Sequence, residues 1–76
     1  MHRLRKCIEG VFDEPLEKVI AIGEFSNSED WDSLKYVALV VGIQAEFEVD
    51  LTPDEVQSIT SVAALEQLLV SRGLSP

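Results

Sequence analysis

Histidine and cysteine each occur once in this chain, as His2 and Cys7, and these scarcities exclude much of the chemistry a small protein can perform. One His and one Cys cannot build a zinc site, and the carboxylates show no calcium-loop spacing. A lone cysteine forms no internal disulfide, which fits a reducing compartment; at its apolar helical spacing Cys7 reads as a buried thiol. A serine nucleophile would need a base, yet the one histidine lies at the N-terminus. Long apolar runs are missing too. The longest, Val37 to Ile43, contains Gly42 and falls far short of the roughly 18–20 residues that cross a bilayer. The basic start Met1-His2-Arg3-Leu4-Arg5-Lys6 leads into an amphipathic segment with no small-residue cleavage site. The expectation is a cytoplasmic protein that does not insert in membranes. Its 76 residues, 46% hydrophobic, allow one domain over 1–76 with a single small core. Such a core offers little enclosure to perturb a carboxylate for acid–base work, so an enzyme is not expected and no residue is assigned a catalytic role.

Positive charge is the next scarcity. There are 6 bases against 14 acids, for a net charge of −8, and three of the bases are Arg3, Arg5 and Lys6. Between Glu24 and Glu55 the acids Glu24, Glu29, Asp30, Asp32, Glu46, Glu48, Asp50, Asp54 and Glu55 face one base, Lys35. Such a surface repels nucleic-acid phosphates and anionic lipid headgroups and attracts proteins with basic patches. The plainer alternative is that the acids only keep a small domain soluble.

What remains is a helical pattern. Leu4, Cys7, Ile8, Val11 and Phe12 recur at spacings of three and four, predicting a helix over 2–12 that Asp13-Glu14-Pro15 ends. Leu16 to Val19 can add one turn. From Ile20 to Trp31 the pattern lapses into a long loop, with Ile20, Ile22, Phe25 and Trp31 as its available anchors. A second helix is predicted from Ser33 to Phe47, with Asp32 as N-cap. Leu34, Val37, Ala38, Val41 and Ala45 form its leading stripe, broadened by Leu39, Val40, Ile43 and Phe47. Val37 to Val41 is β-branched enough for a strand, but Gln44-Ala45-Glu46 continues the helical period. Thr52-Pro53-Asp54-Glu55 is a capping-box start for a short helix ending by Ser58. Thr60 or Ser61 then caps a last helix through Val62, Leu65, Leu68 and Leu69, stopped by Gly73 and Pro76. The fold class is all-α: a small four-helix bundle of three main helices and one short one.

Asp32-Ser33-Leu34 places one serine at a helix start inside the acidic stretch. In isolation the tripeptide is an ordinary way to begin a helix. With Leu39, Phe47 and Leu51 along and after the helix, Ile59-Thr60-Ser61-Val62 entering the last one, and Val19 and Phe25 upstream, the chain resembles the acyl carrier proteins and their relatives that carry 4′-phosphopantetheine. The resemblance covers roughly residues 4–70. It implies the acyl-carrier type of bundle, with Ser33 receiving 4′-phosphopantetheine from coenzyme A through a phosphopantetheinyl transferase. The arm's thiol then holds acyl intermediates as thioesters for fatty-acid, polyketide or related secondary-metabolite biosynthesis. Physical chemistry agrees at this point. A phosphodiester in the first turn lies beside free N–H groups and the positive helix end, worth about 0.3–1 kcal/mol.

The resemblance also implies partners: acyl-loading and acyl-processing enzymes with basic docking patches, acting on a monomer. Asp32, Leu34, Tyr36, Val37, Glu46 and Glu48 are expected to meet them. Trp31 has two roles open, loop anchor or partner contact, with Tyr36 the more exposed aromatic. The chain departs from the family pattern in Asp30-Trp31 before the motif, Lys35 directly after it, and Ala38 and Gln44-Ala45 where acids are frequent. A second helix this poor in acids predicts dedicated partners. An aminoacyl or peptidyl carrier is the nearest alternative, although such proteins commonly show glycines and often a histidine before the serine. An unmodified acidic helical adaptor is the other.

Overall fold

A computed structural model describes residues 2–76. The helix expected at the N-terminus is α1, His2–Phe12, and its apolar spacing buries Leu4, Ile8 and Phe12. It packs on α3, Ser33–Phe47, which buries Leu39, Ile43 and Phe47. Burying such side chains contributes about 1.5–3 kcal/mol each, so this seam carries much of the bundle's cohesion. Cys7 is half-buried in the same seam with its Sγ 3.8 Å from the Gly42 carbonyl oxygen, and burial pushes its thiol pKa up.

Between them lies α2, Leu16–Ile22, a seven-residue helix where the sequence pattern allows a single turn. The reason is a cap from another element. Pro15 has no side chain with which to cap, but the Leu16 N–H donates to Glu9 Oε2 of α1 at 2.7 Å. Arg5 then joins Glu9, at 3.2 Å, to Glu17 at 2.5 Å. Leu16 and Val19 can therefore be buried, while Ile20, an expected loop anchor, is 49% exposed on the helix surface. Gly23, at φ 81°, ends α2 in a backbone region that side chains other than glycine rarely adopt. A single 3-10 turn, Phe25–Asn27, follows.

The remaining helices begin as their sequences dictate. α4, Pro53–Gln57, has the full capping box: Thr52 accepts from the Glu55 N–H, and the Glu55 side chain accepts from the Thr52 N–H. α5, Val62–Ser71, is capped by Ser61, whose Oγ accepts from the Ala64 N–H at 3.1 Å. Beyond it Gly73 turns at φ 76° and the Leu74 N–H donates to the Leu69 carbonyl at 3.0 Å. Val62, Leu65 and Leu69 complete one core with Val19, Phe25 and Ile59. The fold is the small all-α bundle expected, with α2 standing beside the three main helices and short α4. Among the described residues, no helix is long and apolar enough to cross a membrane, and no cluster could hold a metal ion.

Candidate functional site at the start of the third helix

Asp32 is in extended backbone (φ −146°, ψ −179°), and its carboxylate accepts from the Lys35 N–H at 2.9 Å while its carbonyl accepts from the Tyr36 N–H at 3.0 Å. The residue expected to cap does so. Ser33 is thereby the first helical residue of α3 and is exposed. The N–H groups of the first turn have no acceptor within the helix, and the dipole's positive end adds to their pull on an anion.

A cluster of four aromatic rings fixes this helix start to the rest of the bundle. Trp31 stacks on Phe12 at 5.6 Å and 5°, tilts against Phe25 at 5.2 Å, and meets Tyr36 edge-on at 5.9 Å. Each such pair adds roughly 0.5–1.5 kcal/mol beyond area burial. Trp31 is half-buried, so the anchor role is the one its geometry supports. Tyr36 corrects the expectation of an exposed aromatic: it is half-buried, and its hydroxyl donates to the Val56 carbonyl at 2.6 Å, tying α3 to α4. The two rings also wall a surface recess of about 170 Å³ with Gln57, Ile59 and Thr60.

Lys35, the base directly after the motif, reaches back instead of outward. Its Nζ donates to the Val11 carbonyl at 3.4 Å, at the negative end of α1, so its charge is drawn toward the bundle.

The expected partner-contact residues divide. Leu34 and Val37 are 81% and 55% exposed, and so is Val41, at 56%. The stripe named first in the sequence pattern is therefore the outward face, and the broadening set Leu39, Ile43 and Phe47 is the core face. The helical period explains how both can exist: at about 100° per residue, Leu34 and Ile43 fall on opposite sides. Glu46 already has partners within the chain. It flanks the core face and pairs with Lys6 at 3.8 Å and Arg3 at 3.9 Å, so its charge is met from within the molecule. Glu48 is exposed, holds the left-handed conformation that ends α3 (φ 53°), and lies about 22 Å along the helix from Ser33.

Two side chains take roles here that sequence reasoning did not assign them. Gln44 organises the exit of α3, its Oε1 accepting from the Leu51 N–H at 3.0 Å. Arg72 binds the Glu55 carboxylate and the Asp50 carbonyl, the latter at 3.0 Å, and pins α4 to α5. That guanidinium, with the Thr52 backbone N–H, lowers the Glu55 pKa to about 2. A capping box announces Glu55 in sequence, but nothing local announces the arginine seventeen residues on.

An exposed hydroxyl in a first turn, beside free N–H groups and a cap whose carboxylate is committed to Lys35, suits an added phosphodiester. The comparisons with known proteins point the same way. The family model described as the phosphopantetheine attachment site matches residues 2–69. No solved structure was found to match. Covered over nearly its whole length, the chain belongs to the phosphopantetheine-attachment family, whose members are non-catalytic carriers holding 4′-phosphopantetheine covalently.

Proposed function

We propose that Ser33 is the attachment residue and that the protein is an acyl carrier. The observation that carries this is the placement of the one Asp-Ser-Leu serine at the exposed first turn of α3, within a chain matched by the family along 2–69. Ser33 Oγ forms the new bond to phosphorus as the phosphoanhydride of coenzyme A breaks. Adenosine 3′,5′-bisphosphate leaves, and the hydroxyl proton passes to the transferase. The chain's own contribution is to position that oxygen: Asp32 starts the helix, the Trp31 cluster holds its end, and the first-turn N–H groups favour the phosphodiester charge. Once attached, the group supplies a thiol that holds cargo as a thioester.

Carrier domains work with a phosphopantetheinyl transferase and with biosynthetic enzymes. An acyl cargo, for fatty-acid, polyketide or related assembly, is favoured over an aminoacyl one by Asp30-Trp31 before the motif, where peptidyl carriers commonly place glycines. Incubation with coenzyme A and a broad-specificity transferase is expected to add one phosphopantetheine by intact mass, and Ser33→Ala to abolish the gain. Continued modification of the alanine variant overturns the assignment.

A further inference from the structure

α1 lacks the start signals that α3, α4 and α5 carry. Asp32, Thr52 and Ser61 cap those helices from the residue before each, whereas α1 opens on His2-Arg3-Leu4 with no acid in its first turn, a charge pattern that the positive helix end disfavours. Its acceptor comes from beyond the last helix: the Leu4 N–H donates to the Pro76 carbonyl at 2.8 Å. Three features bring that carbonyl into place. Arg72 is fixed to Glu55 and to the Asp50 carbonyl. Gly73 then reverses the chain at φ 76°, with the Leu74 N–H bonded back to the Leu69 carbonyl. Leu74, half-buried, packs against the core, and Pro76 arrives over the first turn of α1.

What this segment holds is one end of the α1–α3 seam. Leu4 is fully buried there, and the Arg3 guanidinium lies 4.4 Å from the centre of the Phe47 ring and donates to the Glu46 carbonyl. Cys7 follows one turn along, against Gly42. The other end of the seam is held separately, by the Trp31 cluster and the Lys35–Val11 contact beside Ser33.

We propose that Gly73–Pro76 is a strap whose release opens the α1–α3 seam at the end away from Ser33 while the Ser33 end stays closed. The strap meets α1 through one backbone hydrogen bond and keeps its place by one half-buried leucine, so it is the easier of the two fastenings to undo. Opening from that side frees Leu4 and Cys7 first. The aromatic rings at the other end share no contact with the strap residues, so they are untouched by its release. The device goes beyond the carrier reading of Ser33 and stands or falls apart from it.

Cys7 reports on the seam and Trp31 on the Ser33 end, each being the one residue of its type in the chain. In the unmodified protein, labelling of Cys7 by N-ethylmaleimide is expected to run about tenfold faster in Leu74→Ala and in Gly73→Val than in wild type, because each variant eases a local opening. Valine at position 73 is strained by the positive φ, and the alanine at 74 gives up the packing. The Trp31 emission maximum should not move in either variant. By NMR, the Leu4 amide should exchange slowly in wild type and about tenfold faster in both variants, whose fold is checked by circular dichroism. Val62→Ala, which weakens the core at the opposite end of α5, is the control and should raise Cys7 labelling less than about threefold. Rapid Leu4 exchange in wild type overturns the proposal, as does Cys7 labelling that is unchanged in both strap variants. Labelling that rises as much in Val62→Ala, or a red shift of Trp31 that accompanies it in the strap variants, means that the whole bundle loosens together and overturns the proposal too.

Discussion

Along α3, Leu39, Ile43 and Phe47 are 0%, 0% and 4% exposed, while Leu34, Val37 and Val41 on the opposite side are 81%, 55% and 56%. The two sets are chemically alike, and what separates them is company. The first meets α1, whose Leu4, Ile8 and Phe12 need an apolar surface; the second is left largely open to solvent. A surface helix usually sheds apolar residues from its outward side, and this one keeps three of them there. The core face holds Ser33 in place, and the outward face presents it.

The difference can be broken first at the core face. Ile43→Ala removes a fully buried side chain and is expected to cost about 2–5 kcal/mol. That is a large share of the roughly 5–15 kcal/mol typical of a domain, readable by urea unfolding. A loss below about 1 kcal/mol would mean that the seam with α1 is not packed as described.

The shared start of both faces comes next. Asp32→Ala deletes the acceptor for the Lys35 N–H and is expected to cost about 1 kcal/mol, through fraying of the first turn. Hydrogen exchange should locate the loss at residues 33–36, ahead of any change at Ile43. Uniform loosening along α3 would contradict a local cap.

A smaller effect sharpens the core side, where Tyr36 ties α3 to α4. Because Arg72 holds Glu55 at about 2 instead of 4.5, the ionised carboxylate favours the folded state. Its contribution is full above pH 4.5 and is lost as pH falls toward 2. The stability gap between wild type and Glu55→Gln should therefore be open at neutral pH and close across that window, narrowing also in high salt because the pair is exposed. A gap that stays constant with pH would show that the pair adds nothing. The smallest effect is expected on the outward face: Val41→Ala should change stability by less than about 0.5 kcal/mol. A cost like that of Ile43→Ala would erase the distinction between the faces.

Much of this molecule is written locally. Thr52-Pro53-Asp54-Glu55 forms the capping box its residues spell, Asp32 and Ser61 cap where expected, and Asp13-Glu14-Pro15 ends α1. The family-like positions Val19, Phe25, Leu39, Phe47, Ile59 and Val62 are all buried, and Leu51 packs against the core. These succeed because caps, breakers and helical periods act over three or four residues. α2 was legible only as a turn, because its cap is Glu9, seven residues upstream on another helix. The inward turn of Glu46, the capping reach of Lys35 and the half-burial of Tyr36 were illegible for the same reason: each answers a group at least twenty residues away.

By itself, then, the sequence determined that the chain is helical, where most helices start and stop, and which serine stands at a helix start. Those outcomes depend on local hydrogen-bond capping and periodicity. Only the tertiary structure decided which apolar face of α3 is core. Both faces satisfy the same helical period, and the choice belongs to the surface of α1 packed against one of them.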